Sequence, residues 1–160
     1  MTTSIDAVDL PRQNWDKKGW TAASLGMATV TSLVRLGSLL DAHVNQVLKP
    51  YGITFSRFEL LTLLMFSRTG ALPMKKASSR LNIPPASITH MVSALEQAGL
   101  VERSPDPRDG RGVLVSITDQ GIALVSSATP ALNRFFTSLD ISSEALLEES
   151  SALRRQLGDG

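Results

Sequence analysis

The chain has no cysteine among its 160 residues. That absence excludes a disulfide scaffold, a Cys-rich zinc site and any thiol-based redox switch. Histidine is nearly missing too. Only His43 and His90 are present, too few for an ordinary His-based metal centre, so no metal and no cofactor is expected. Aromatic residues are sparse at 5% and net charge is only +1. The start, MTTSIDAVDLPRQNWDKKGW, lacks the charged-then-apolar order of a signal peptide. No apolar stretch reaches the roughly 18 residues of a membrane span. A cytoplasmic location with no membrane association is the resulting expectation. With 42% apolar and 19% charged residues, the chain has the composition of a globular domain of ordinary size.

Charge is segregated along the chain. Residues 54–118 hold eight basic and five acidic groups, whereas 119–160 hold three basic and six acidic. A basic centre on a near-neutral chain suits a module that meets a polyanion. Hydrophobic periodicity supplies the elements. Leu25, Val30, Leu33, Leu36, Leu40, Val44 and Leu48 recur at helical spacing and predict a long helix from about Ala22, ended by Pro50 and Gly52. A second helix is expected in ITFSRFELLTLLMFS, capped by Thr54 or Ser56, with Gly70 as a stop. A short helix in MKKASSRL closes at Asn82. Pro84 and Pro85 open the next, which runs to Gly99. The period then changes. LVERS and RGVLVSIT are β-prone runs around the turn formers PDPRDG, which predicts a hairpin. Thr118 caps a further helix that Pro130 should kink or divide, and an amphipathic segment with Leu146, Leu147, Leu153 and Leu157 follows. Residues 1–13 read as loosely ordered, with Pro11 as a break.

This order is the plan of a winged helix-turn-helix, in which the second helix of the motif enters the DNA major groove. The helix from Pro85 has an unusual polar face. Ile88, Met91, Val92, Leu95 and Ala98 fall on one side. Pro85, Ala86, Ser87, Thr89, His90 and Ser93 fall elsewhere, near the N-terminal end. Small residues let a backbone approach base edges, and Ser, Thr and His can bond bases or phosphates. The wing region adds Arg103, Arg108 and Arg111, and an arginine at a hairpin tip can enter the minor groove. Lys75, Lys76 and Arg80 precede the recognition helix as candidate backbone contacts.

These segments resemble the MarR family of winged helix-turn-helix regulators. The resemblance spans nearly the whole chain and is strongest from about Tyr51 to Gly121, in YGITFSRFELLTLL, KKASSRLNIPPASITHMVSALEQAGLVER and PDPRDGRGVLVSITDQG. The family's Asp-x-Arg signature falls on Asp109, Gly110 and Arg111. The resemblance implies that Arg111 enters the minor groove, that Asp109 orients the wing arginines, and that 85–90 enters the major groove. Two positions depart from the family pattern. Pro84 replaces a capping Ser or Thr, and His90 stands where Arg is frequent, which predicts an altered operator preference rather than lost binding.

The expected fold is mainly α with a small hairpin wing. The resemblance implies an N-terminal arm at 1–21, a helical dimerisation region at 22–50 and 119–160, and a DNA-binding domain at 51–118. It further implies a homodimer on a near-palindromic double-stranded operator, acting as a repressor. The apolar residues Leu132, Phe135, Phe136, Leu139, Leu146, Leu147 and Leu153 exceed what one small wing domain can bury, which also favours a dimer. Release by a small aromatic, anionic or lipophilic effector is implied as well, with Trp15, Trp20, His43, Tyr51, Arg57 and Phe58 as candidate lining residues. The missing cysteine excludes the family's peroxide-sensing branch. The alternative is a winged-helix protein-interaction module without specific DNA binding. An enzyme is disfavoured, because no nucleophile–base pair, phosphate loop or metal spacing is present.

Overall fold

A computed structural model describes residues 7–141 and 143–159. The first six residues of the expected arm lie outside them. The chain forms two compact units, residues 1–46 and 47–160.

The first unit is helical. Helix α1 spans Asp9–Lys17 and buries none of its residues. Pro11 does not break it. It sits in the first turn, where a helix has no use for the missing N–H, and Asp9 in the same turn suits the positive end of the helix dipole. Helix α2 spans Thr21–Leu48. Ser24, Ala28 and Val44 are buried, while Leu25, Val30, Val34, Leu36 and Leu39 stay exposed. By length and composition α2 is apolar enough to cross a membrane, contrary to the expectation that no stretch would be. Interruptions by Ser, Thr, Gly and Arg35 hide this when only unbroken apolar runs are sought.

A single 3₁₀ turn at Lys49–Tyr51 ends α2, and Gly52 turns the chain at φ 67°, a left-handed conformation that glycine adopts without penalty. Helix α3 follows at Phe55–Met65; Thr54 holds the N-cap position, but neither it nor Ser56 makes the expected side-chain cap, their hydroxyls lying 3.4 Å from each other instead. Strand β1 (Ala71–Pro73) is a third strand that the sequence did not reveal, because three residues are too few for a periodic signal. Helices α4 (Met74–Arg80) and α5 (Pro85–Gln97) form the helix-turn-helix, with Asn82 at φ 50° in the turn. The Ser78 hydroxyl closes that turn by donating to the Ile83 carbonyl at 2.6 Å.

Strands β2 (Val101–Asp106) and β3 (Asp109–Ile117) build the wing. The antiparallel sheet has the order β1-β3-β2. Both strands reach further into PDPRDG than expected and leave only Pro107 and Arg108 between them. Helix α6 runs unbroken over Asp119–Ser138, so Pro130 does not divide it. Pro130 and Ser126 are both exposed, and water can satisfy the Ser126 carbonyl that loses its helical donor. Helix α7 spans Ala145–Gln156 and buries no residue.

The core of the second unit gathers Phe58, Leu60, Leu61 and Leu64 of α3, Ile88, Val92 and Leu95 of α5, Val101 and Val115 of the wing, and Val125, Ala128 and Leu132 of α6. Leu132, expected at a dimer contact, therefore belongs to the chain's own core. Thr118 fastens these parts together. Its hydroxyl donates to the Gly99 carbonyl at 2.7 Å and accepts from the Gly121 N–H at 3.1 Å, joining the end of α5 to the start of α6.

Candidate nucleic-acid interface

Helix α5 begins with a proline at its first position and no side-chain cap, so the fixed φ of Pro85 replaces a hydrogen bond as the starting device. Burial of Ile88, Val92 and Leu95 fixes the helix rotation and turns Pro85, Ala86, Ser87, Thr89 and His90 outward. Internal bonding divides the polar residues of this face. The Thr89 hydroxyl donates to the Pro85 carbonyl at 2.8 Å, and the Ser93 hydroxyl donates to the Thr89 carbonyl at 3.0 Å. Among the described residues, Ser87 and His90 have no side-chain hydrogen bond within the chain. Near the N-terminal end of α5 they are the polar groups left free to bond something else.

Arg103, expected among the wing contacts, is bound inward. One guanidinium nitrogen donates to the Ser93 hydroxyl and, at 3.5 Å, to the Thr89 carbonyl. Its Nε faces the Glu96 carboxylate at 3.5 Å, as an ion pair rather than a hydrogen bond. Strand β2 is thereby clamped to α5.

The wing tip is shaped by two aspartates. Asp106 is buried, and its Oδ1 accepts the Arg108 N–H at 2.9 Å. Asp109 Oδ1 accepts the Arg111 N–H at 3.1 Å, while Lys75 Nζ lies 3.8 Å from its other oxygen. Asp109 thus holds the backbone of Arg111, not its guanidinium. The register breaks here. Pro105 pairs with Val113 and Asp106 pairs with Asp109, so Gly110, Arg111 and Gly112 bulge out between the two pairs. A Cβ on Gly112 would lie 3.1 Å from the Cβ atoms of both Asp106 and Asp109, which explains glycine at that place. Arg111 is exposed on this bulge, with no side-chain partner among the described residues.

A hollow of about 500 Å³ beside α5 is lined by Thr54, Ser56, Arg57, Ala86, Ser87, His90 and Met91. Arg57, expected in an effector site, is therefore a neighbour of Ser87 and His90. Sequence alone did not reveal this, because α3 and α5 meet only in the folded unit. The other effector candidates are divided between the two units. Trp15 and Trp20 stack edge-to-face with ring centroids 5.2 Å apart in the first unit, where His43 Nδ1 bonds the Leu39 carbonyl at 2.8 Å. Tyr51 is half-buried and Phe58 is buried in the second. Phe58 lines a cavity of about 590 Å³ between α3 and α6, with Leu63, Phe66, Phe136 and the carboxylate of Glu59. Burial raises that carboxyl above its ordinary value. Among the described residues no group of three His, Asp or Glu side chains could hold a metal ion.

The arrangement is matched in known proteins. The MarR family profile matches residues 53–113. The uncharacterised HTH-type transcriptional regulator YdgJ of Bacillus subtilis is 33% identical over 143 residues, covering 89% of this chain and 82% of that protein. The crystal structure of Sco5413, a MarR family transcriptional regulator from Streptomyces coelicolor, is 40% identical with a TM-score of 0.71, over 82% of this chain and 91% of that one. Sco3205, a MarR family regulator of the same organism solved in complex with DNA, has a TM-score of 0.73, over 84% of this chain and 86% of that one. At 23% identity it shares the fold alone with this chain.

Proposed function

The chain belongs to the MarR family of transcriptional regulators, and on that premise we propose that it reads double-stranded DNA as a homodimer and represses nearby genes. One observation carries the DNA reading. Ser87 and His90 on α5 and Arg111 on the bulge have no internal side-chain partners, and they lie on the two elements a winged helix presents to DNA. Thr89, Ser93 and Arg103 of the same surface are committed within the chain. In this reading Pro85, Ala86, Ser87, Thr89 and His90 face base edges in the major groove. Arg111 enters the minor groove, Lys75 and Arg57 contact phosphates, and Arg103 and Ser93 position α5 against the wing.

The exposed apolar residues of each unit support a second copy as partner. Leu25, Val30, Val34 and Leu39 lie bare on α2, and Leu146, Leu147 and Leu157 on or just after α7. Coverage of α2 by a partner chain also accounts for its apolar length in a cytoplasmic regulator better than a membrane does. Two-fold symmetry then sets half-sites about one helical turn apart. The cavity between α3 and α6, with its aromatic walls and both Glu59 and Arg80 in its lining, suits a small aromatic effector.

The test is a fluorescence-anisotropy titration against DNA from the gene's own upstream region, with a scrambled duplex as control, at two salt concentrations. Tight, salt-dependent binding that prefers the native sequence is expected. Weak, equal binding to both duplexes would instead favour a protein-interaction module.

A further inference from the structure

Helix α5 is nearly empty of the side chains that most often read bases. From Pro85 to Ala94 it carries no Arg, Lys, Asn, Gln, Asp or Glu. Arginine and lysine pair with guanine, asparagine and glutamine with adenine, and carboxylates with cytosine. The polar groups present are hydroxyls and one imidazole, and two of the three hydroxyls are engaged. Thr89 donates to the Pro85 carbonyl. Ser93 donates to the Thr89 carbonyl and accepts from Arg103. Ser87 and His90 are exposed and keep their donors.

A neutral imidazole has one donor and one acceptor nitrogen, whereas an imidazolium has two donors. The surroundings of His90 bear on which form meets DNA. His90 borders the hollow beside α3, where Arg57 is the one other charged or titratable residue in the lining and Thr54, Ser56 and Ser87 supply hydroxyls. On α5 itself the single charged residue is Glu96. It lies six positions on, about 240° round the helix, and faces Arg103. No carboxylate lines the hollow, so an anion that holds a second proton on the ring has to come from outside the chain. A DNA backbone supplies such anions, and histidine is the side chain that changes charge near neutral pH.

We propose that His90 is the guanine-reading residue of α5 and reads as an imidazolium, so that each copy takes up a proton as it binds its operator. Guanine shows two acceptors in the major groove, N7 and O6, and no donor. One ring N–H donates to that edge. The other is left for a phosphate oxygen at the hollow, beside Arg57. Adenine puts its N6 amino donor where guanine has O6, against a ring with no acceptor left. Because the proton favours the complex, operator affinity falls as pH rises, and DNA tightens the ring's hold on its proton by the same factor. The assignment rests on the regulator reading above.

Anisotropy titrations at about pH 6 and about pH 8, at one salt concentration, test it with the gene's own upstream duplex and the scrambled control. Native affinity is expected to be about tenfold higher at the lower pH. His90→Arg keeps the charge at both pH values and His90→Gln never carries it, so both variants should lose the dependence. His90 is exposed and unbonded, so both should melt with the wild type. His43→Gln should behave as the wild type. Replacing each footprinted G·C pair by A·T in turn should reveal one position per half-site that removes the pH dependence. His90→Gln should lose much less affinity than the wild type from that replacement. Tight, selective binding that is equal at the two pH values overturns the proposal and leaves the regulator reading standing. A pH dependence that survives His90→Gln, or that disappears in His43→Gln, overturns it as well. An equal dependence on the scrambled duplex shows that His90 meets phosphate only and overturns the guanine assignment. Weak, equal binding to both duplexes at both pH values refutes the regulator reading and this assignment with it.

Discussion

Arg103 and Arg111 lie eight residues apart in the wing and look interchangeable in sequence, yet the structure gives them opposite work. Arg111→Ala removes an exposed cation without internal bonds, so the folded state loses almost nothing. Its cost falls on DNA. One lost phosphate or groove contact is worth about 1–3 kcal/mol and lowers the salt slope by about 0.9 per copy, or about 1.8 per dimer. Arg103→Ala acts on the fold. The Arg103–Glu96 pair is partly solvated, with side-chain exposures of 29% and 42%, which discounts it to about 0.5 kcal/mol. The hydrogen bond to Ser93 adds about 1 kcal/mol, and the 3.5 Å contact with the Thr89 carbonyl adds little. A loss of about 1.5 kcal/mol lowers the melting temperature by roughly 3–6 °C in a chain of this size. Ser93→Ala on the Arg103→Ala background should add less than it does alone, because the two share one bond. Salt-dependent anisotropy and thermal melting of the two variants decide the matter. If Arg103→Ala loses the same salt slope as Arg111→Ala and melts like the wild type, the inward clamp is refuted.

Three further outcomes are expected. Gly121→Ala should lower the melting temperature by about 3–6 °C, because the new Cβ would overlap the Leu100 carbonyl oxygen and come within 2.7 Å of Ile117 Cγ1. The usual gain of alanine in a helix would appear as a raised melting temperature and would contradict this. Glu59→Gln should stabilise the chain at pH 7. Burial favours the protonated carboxyl in the folded state, so stability falls as pH rises past 4.5, and the advantage of Gln should vanish in melts below that pH. A gain that persists in acid would point to packing instead. Leu146→Glu with Leu147→Glu should yield monomers in sedimentation, since α7 buries nothing within its own chain; an unchanged dimer mass would remove α7 from the interface.

Strong periodicity made the long helices readable, and local chemistry made the junctions readable. Gly52 and Asn82 have positive φ where the sequence asks for a stop, and Thr118 caps α6 as its hydroxyl suggested. Prolines were harder to read, because their effect depends on position and solvent. Pro11 falls in a first turn and Pro130 lies on a wet face, so neither interrupts its helix. Strand β1 is created by pairing with β3 through residues Ala71–Pro73, and no local pattern announces it. For the candidate site, residue types indicated the surface but not which groups are already occupied. Ser87 and Ser93 are the same residue on the same helix, and the bonds of Ser93 to the Thr89 carbonyl and to Arg103 of the following strand separate their roles. Arg57 became a neighbour of His90 for the same reason.

The clamp between β2 and α5 also limits how such a molecule can be controlled. With Arg103 holding strand to helix, and Thr118 holding the far end of the wing to the end of α5, the helix tip and the arginine bulge keep a set separation. Each copy then behaves as one fixed jaw of a caliper. A regulator built this way has little to gain from bending a jaw. An effector's leverage lies in the opening between two jaws, which only has to miss one turn of the double helix for both to lose their grip.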